Sequence, residues 1–359
     1  MNLMRRTVEF KLDTRNVFLH ILTKCNLKCR HCYINPAEHG AGILDADTIK
    51  DWLGMFAHEL NETGPALNPD DWARKTNLIL LGGEPTLNPA LPLAIKEARR
   101  LGYGSITVDT NGFLFHDILD KITPDELNYL SFSLDGSCPD INDPIRGPGV
   151  FDACVKGIRR AISMGFGVSV IFTASKMNLH DLQNMPELLA GLDVKRFFVQ
   201  VIGIRGRSSA TQALAPSLQL GRDEWEPVVP RVAMMAARMG IHVTYPKVFL
   251  GPHEPFACAG LAASNYFVFP NGRVYRCPLC EDYPMHSLEI KSGHLHERPP
   301  VTERELFPLT IPEGCVFNRI LHPGNIRYDE AGMPISRIAC CMLKEEVLPE
   351  GYSGLQGAG

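Results

Sequence analysis

The chain has 359 residues, of which 45% are apolar and 21% charged, with a formal net charge of −4; this is an ordinary globular composition, long enough for one large core and a smaller module. Such a charge gives no electrostatic case for nucleic acid or an anionic membrane, and no apolar run approaches the roughly 18 to 20 residues of a membrane span. Met1 to Arg15 contains no apolar run of the secretory type, so the expected location is the cytoplasm.

From residue 17 to 240, short β-branched runs alternate with amphipathic stretches. Strands are predicted at Val17 to Leu22, Asn77 to Leu81, Ser105 to Asp109, Tyr129 to Leu134, Val168 to Thr173 and Phe197 to Ile204. Helices are predicted at Asp45 to Leu60, Pro92 to Leu101, Phe151 to Met164, Leu182 to Leu189 and Arg222 to Met239. This alternation implies parallel strands joined by crossover helices, and six units suit an α/β fold of the open, partial (β/α)6 barrel type. Ligands of such folds collect at the carboxyl ends of the strands.

Gly206 to Gly221 is polar and rich in helix breakers, and reads as a loop. After Ile241 the character changes. Tyr266 to Tyr275 reads as a β-hairpin turning at Asn271-Gly272, a strong hairpin signal. Met285 to Pro312 shows little periodicity and reads as a loop or lid, and 351–359 reads as a flexible tail. The expected division is a core over 1–240 and a small cysteine-rich module over 241–350.

The eleven cysteines are distributed unevenly. Cys25, Cys29 and Cys32 form a C-x3-C-x2-C loop, Cys138 and Cys154 stand apart, and Cys258, Cys277, Cys280, Cys315, Cys340 and Cys341 crowd the last third. In a reducing compartment this more often means metal than disulfides. Three thiolates are one short of what a [4Fe–4S] cubane takes from protein, which leaves one iron open to bind and activate a substrate. A ferredoxin fragment is a poor match, since bacterial ferredoxins space their cysteines C-x2-C-x2-C-x3-C. A zinc site awaiting a distant fourth ligand is the plainer alternative.

The triplet, with His31 before the last cysteine, resembles the radical S-adenosylmethionine (SAM) enzymes. In that family the open iron chelates the amino and carboxylate groups of SAM, and the cluster's electron cleaves SAM to a 5′-deoxyadenosyl radical. Gly82-Gly83-Glu84-Pro85 at the second strand's end resembles the family's GGEP motif, and Thr110-Asn111-Gly112 its third-strand ending. Ser131 to Gly136 (SFSLDG) with Asn142 to Gly147 (NDPIRG) resembles the signature of members carrying a SPASM or Twitch extension. The resemblance implies a [4Fe–4S] cluster on Cys25, Cys29 and Cys32. It also implies SAM held by Gly82, Gly83, Glu84, Pro85, Asn111, Ser133, Asp135 and Arg146.

Cys258, the hairpin and Cys277 resemble the entry to that extension. Cys280, Cys315, Cys340 and Cys341 depart from a full SPASM pattern, which points to a single auxiliary [4Fe–4S] cluster. Only one of Cys340 and Cys341 is expected to bind, because adjacent side chains diverge in an extended chain. No general base is singled out among His253, His286, His294, His296, Glu281 and Asp282.

The expected activity is hydrogen abstraction from a small molecule of the sugar or aminocyclitol type. It would be a net oxidation fed by a low-potential donor such as flavodoxin or ferredoxin. The small-molecule reading rests on the short segment before the first strand, which leaves no room there for a leader-binding domain. The alternatives are a peptide-modifying maturase and, more remotely, an electron-transfer or zinc-binding protein without SAM chemistry.

Overall fold

The computed structural model describes residues 3–40, 42–58, 72–113, 117–208 and 218–350. Six strands run parallel in sequential order: β2 (Arg15–Leu22), β3 (Thr76–Gly82), β4 (Ser105–Thr110), β5 (Tyr129–Ser133), β6 (Val168–Ala174) and β7 (Arg196–Val201). All six predicted strands are present, with ends moved by at most three residues. Each alternates as a barrel strand should. In β2, Val17, Leu19 and Ile21 are fully buried on the helix side, while Asn16, Phe18 and His20 point the other way into a cavity.

The helices follow from local chemistry. Ala46–Ala57 starts at Asp45, whose carboxylate accepts the Thr48 N–H at 2.7 Å, and buries the stripe Ile49, Trp52, Leu53 and Phe56. Arg222–Arg238 starts with the Glu224 carboxylate accepting the Gly221 N–H. Leu91–Arg100 and Val150–Ser163 bury small and branched faces in the same way.

The last third completes the same sheet. β8 (His242–Pro246) adds in parallel beyond β7, and β10 (Ser264–Val268) adds in parallel beside β2. On one flank β15 (Lys344–Leu348) and β1 (Met4–Val8) follow antiparallel. On the other flank β10 turns into β11 (Arg273–Tyr275), with Gly272 at φ 81° in the predicted Asn-Gly turn. The change of character near residue 240 therefore does not separate two sheets, because both parts share thirteen strands and a common core.

Part of the stretch expected as a loop or lid is a hairpin, β12 (Leu288–Lys291) with β13 (His294–Glu297). Its Ser292-Gly293 turn has both φ angles positive, 50° and 74°, the conformation a tight hairpin requires. The residues between (short β9 at Phe249–Leu250 and β14 at Arg337–Ile338) form a separate two-stranded pair. The predicted tail and the middle of the 206–221 loop lie outside the described residues. Among the described residues no helix is long and apolar enough to cross a membrane.

The inward faces of all the parallel strands line a single cavity of about 1660 Å³, so the sheet is curled into an open barrel. The cysteine loop sits at its carboxyl-end mouth.

Candidate active site

The loop carrying Cys25, Cys29 and Cys32 is pinned from four sides. Leu22 O accepts the Gly83 N–H and Lys24 O the Glu84 N–H, both at 3.0 Å. Arg30 N donates to Ile145 O at 2.9 Å, and Arg207 N to Cys32 O at 2.8 Å. The two glycines of Gly82-Gly83 are first of all required by this contact. A Cβ on Gly82 would stand 2.1 Å from Leu22 O, and one on Gly83 2.2 Å from Lys24 O. Asn111 reaches the loop from the end of β4, donating to Asn26 Oδ1 at 2.9 Å and lying 3.7 Å from Cys25 Sγ.

Burial and the neighbouring thiols push Cys25 up to about 11, and burial also raises Cys29. Three half-buried thiols that repel one another's charge fit a cationic cluster. Such a group offsets both the desolvation and the repulsion that raise Cys25 and Cys29.

Gly82, Gly83, Glu84, Asn111, Ser133 and Arg146 line the cavity together with the three cysteines, while Pro85 and Asp135 lie behind its wall. Both oxygens of the Glu84 carboxylate are already engaged. Oε1 accepts from Thr86 N, Thr86 Oγ1 and Thr110 Oγ1, and Oε2 from Asn111 N at 2.7 Å. Burial nevertheless raises its pKa.

Asp135 is fully buried. Its Oδ2 stands 2.7 Å from Arg146 Nε and 3.3 Å from His31 Nε2, and its Oδ1 accepts the Thr173 N–H at 2.7 Å. The Arg146 contact is an ion pair without hydrogen-bond alignment. Asp135 thus holds both Arg146 and the cysteine loop in place, a job that no local pattern distinguishes from ligand binding. His31 is kept neutral by burial, which pulls it down to about 4.

All six cysteines of the last third come together. Cys258 feels Cys340, Cys277 feels Cys280 and Cys340, and Cys315 feels Cys277, Cys340 and Cys258, each raising another's pKa. The adjacent pair does not diverge as an extended chain would make it. The backbone turns at 341–342 and the two thiols share a hydrogen bond, which lowers Cys340 to about 7 and raises Cys341.

Cys315 and Cys341 line the barrel cavity, whereas Cys340 packs on Ala259 and Ala263. Glu303, fully buried, accepts the N–H groups of Arg276 (2.5 Å) and Cys277 (3.1 Å) and the Ser287 hydroxyl. It supports the Cys277 turn from 26 residues away. All eleven cysteines are free of disulfides. Among the described residues no three His, Cys, Asp or Glu side chains stand at the spacing of a single metal ion.

The Glu281-Asp282 pair belongs to the seam between barrel and module. Glu281 pairs with Arg205, which lies over the Tyr33 ring, and Asp282 accepts the Gly206 N–H and faces His39 at 3.6 Å. His286 stands edge-on to Tyr275, while His253, His294 and His296 lie outside the cavity wall.

The family model of the radical SAM superfamily matches residues 19–189, from β2 through the helix after β6. Residues 19–189 are thus a radical SAM domain. Members use a [4Fe–4S] cluster and SAM. Over 207 residues the chain is 31% identical to Fe-coproporphyrin III synthase of Methanosarcina barkeri, covering 56% of this chain and 48% of the synthase. The chain thus spans about half the length of that relative. It is 28% identical over 302 residues to the probable GTP 3′,8-cyclase of Saccharolobus islandicus, covering 79% of this chain and 88% of the cyclase.

Among solved structures it is similar to Streptococcus suis SuiB bound to the precursor peptide SuiA, with a TM-score of 0.57 and 14% identity over 84% of this chain and 65% of SuiB. It is also similar to anSMEcpe with bound AdoMet, with a TM-score of 0.55 and 13% identity over 89% of this chain and 85% of that one. At such identities these two similarities establish the radical SAM fold alone.

Proposed function

We propose that this radical SAM enzyme binds its [4Fe–4S] cluster through Cys25, Cys29 and Cys32. We assign SAM to the pocket lined by Gly82, Gly83, Glu84, Asn111, Ser133 and Arg146, with Pro85 and Asp135 supporting it from behind the wall. The observation that carries this reading is the convergence on one cavity mouth of the three thiols, the Gly82-Gly83 turn, Ser133 and Arg146. When bound and reduced, the two cofactors supply a 5′-deoxyadenosyl radical. The protein's own share is to bind, orient and keep water out.

Gly82 and Gly83 present backbone without side chains beside the cluster loop. Arg146, oriented by Asp135, offers a guanidinium to a carboxylate. The substrate is a small molecule inside the barrel. Polar side chains near the mouth, Asp109, Ser133, Thr173 and Gln200, suit a hydroxylated compound of the sugar or aminocyclitol type. The Asp109 carboxyl, pushed up to about 7 by burial, can hold or release a proton at the substrate.

Cys258, Cys277, Cys280, Cys315, Cys340 and Cys341 are the pool from which a second [4Fe–4S] cluster draws its ligands. That makes a net two-electron oxidation the expected reaction class and a flavodoxin or ferredoxin the expected donor. Eleven free thiols suit a reducing cytoplasm.

Anaerobically reconstituted protein should contain about eight irons, two cubanes of four, and release 5′-deoxyadenosine on reduction with SAM. Cys29→Ala should abolish release. An intact cluster that yields no 5′-deoxyadenosine would sink the assignment, and about four irons with bound zinc would remove the second cluster.

A further inference from the structure

At the far end of the cavity from the cysteine loop lies a cation that meets no counter-ion among the described residues. Arg196 opens β7 at the level of Ser169 on β6 and His242 on β8, and all three line the cavity. Arg196 is only 6% exposed. Its guanidinium lies 4.3 Å over the Tyr129 ring and 5.2 Å from that of Phe198, and its Nε has no hydrogen-bond partner.

Arg15, Arg146, Arg205 and Arg276 also bury an Nε without a hydrogen bond. Each of these still meets a protein acceptor: Phe56 O, Asp135, Glu281 and Ala263 O respectively. Among the described residues Arg196 has none. Glu346, the carboxylate beside His242, is occupied by Arg6 at 2.9 Å and by His242 at 3.5 Å.

A guanidinium cannot shed its charge when buried, and ring faces recover only part of its lost hydration. The site is therefore one anion short. Above it the cavity wall carries the apolar side chains Phe18, Ile79, Ile171, Phe198 and Phe267, with Phe18 and Phe267 stacked at 4.6 Å. Above these side chains comes the polar mouth, roughly 13 Å from the floor at about 3.3 Å per strand residue.

We propose that Arg196, with Ser169 and His242, forms an anion seat on the barrel floor for a carboxylate or phosphate of the substrate. The substrate is then an elongated anionic molecule whose other end reaches the cysteine loop. This deepens the proposed function, on which it rests for reading the cavity as the substrate chamber.

The test is calorimetric titration of the reconstituted full chain with inorganic phosphate and, separately, with acetate, against chloride at matched ionic strength. SAM cleavage is measured on the same preparation. Wild type should bind one anion saturably, phosphate indicating a phosphoryl group and acetate a carboxylate. R196Q should bind it about tenfold or more weakly. If R196Q fails to fold, S169A, which removes one hydroxyl beside the guanidinium, should weaken binding about three- to tenfold.

Wild type binding neither anion beyond the chloride control overturns the seat. So does R196Q, or S169A in its place, binding as tightly as wild type. Anion binding without SAM cleavage would leave the seat standing and remove the radical reading, and cleavage without anion binding would do the reverse.

Discussion

Replacing Gly83 by alanine tests whether the cysteine loop and the end of β3 are one rigid unit. Gly83 needs no unusual backbone angle, so the whole cost of a methyl group there is steric. The new Cβ would lie 2.2 Å from Lys24 O, 2.4 Å from Lys24 C and 2.5 Å from Thr23 O. All three are backbone atoms next to Cys25 and cannot swing aside as a side-chain end could. Restoring normal contact needs a shift of roughly 1 Å. Overpacking of this kind costs about 1–3 kcal/mol, and the Gly83 and Glu84 amide hydrogen bonds to the loop would weaken by about 1 kcal/mol each.

A net loss of about 3 kcal/mol corresponds to a fall in Tm of roughly 6–12 °C, at about 2–4 °C per kcal/mol for a large domain. Thermal unfolding followed by circular dichroism reads this directly. Iron content after reconstitution reads the displacement of Cys25. The control is Gly54→Ala, inside the helix Ala46–Ala57 with nothing within 4 Å of the added methyl, which should gain about 0.5–1 kcal/mol. Gly83→Ala protein that melts with wild type and keeps its iron would refute the backbone contact.

Arg146→Met would strand the fully buried Asp135 carboxylate and should cost about 3–5 kcal/mol in urea unfolding; a loss below about 1 kcal/mol would show that the pair is not a buried one. Glu303→Gln keeps one acceptor where the carboxylate serves Arg276 N, Cys277 N and Ser287 Oγ. It should lose about 1–3 kcal/mol and lower iron content while the Cys25 loop still cleaves SAM. Retention of full iron would argue against its support of Cys277. Asp109, raised to about 7 by burial, contributes stability that is full below its unfolded pKa near 4 and lost as pH rises toward 7. Asp109→Asn should match wild type near pH 4 and exceed it at pH 8, and a difference that does not vary with pH would contradict this.

What was legible in the sequence is what a short window can encode. The cysteine triplet, the Gly-Gly turn, the six strands and the Asn271-Gly272 hairpin each carry their signal within about ten residues, and each lies where its pattern places it. What escaped depends on partners far along the chain. Asp135 looks the same in sequence whether it meets a ligand or, as here, Arg146, His31 and the Thr173 amide. Glu303 sits in a stretch without periodicity, yet closes the Cys277 turn. The β12–β13 hairpin turns at Ser-Gly rather than Asn-Gly and is charged on both strands, so its alternation is weak. That Arg196 meets no carboxylate among the described residues is a property of the whole cavity, and no motif announces it.

The pairing of β10 with β2 has a consequence for how the molecule is made. β2 leads directly into the cysteine loop, and one of its two neighbours, β10, lies 249 residues further along, with Asn265 opposite Asn16. Chain emerging from the ribosome therefore presents β2 with one side unpaired until that distant strand arrives. Arg5 and Arg6 wait longer still for Glu345 and Glu346. An unfilled edge beside three thiols is a hazard, open to aggregation and oxidation alike. Once Phe269 slides between His20 and His39, stacking at 4.0 and 4.1 Å, the loop is walled on that side. Docking of the last third of the chain is therefore the event that closes this side of the cysteine loop.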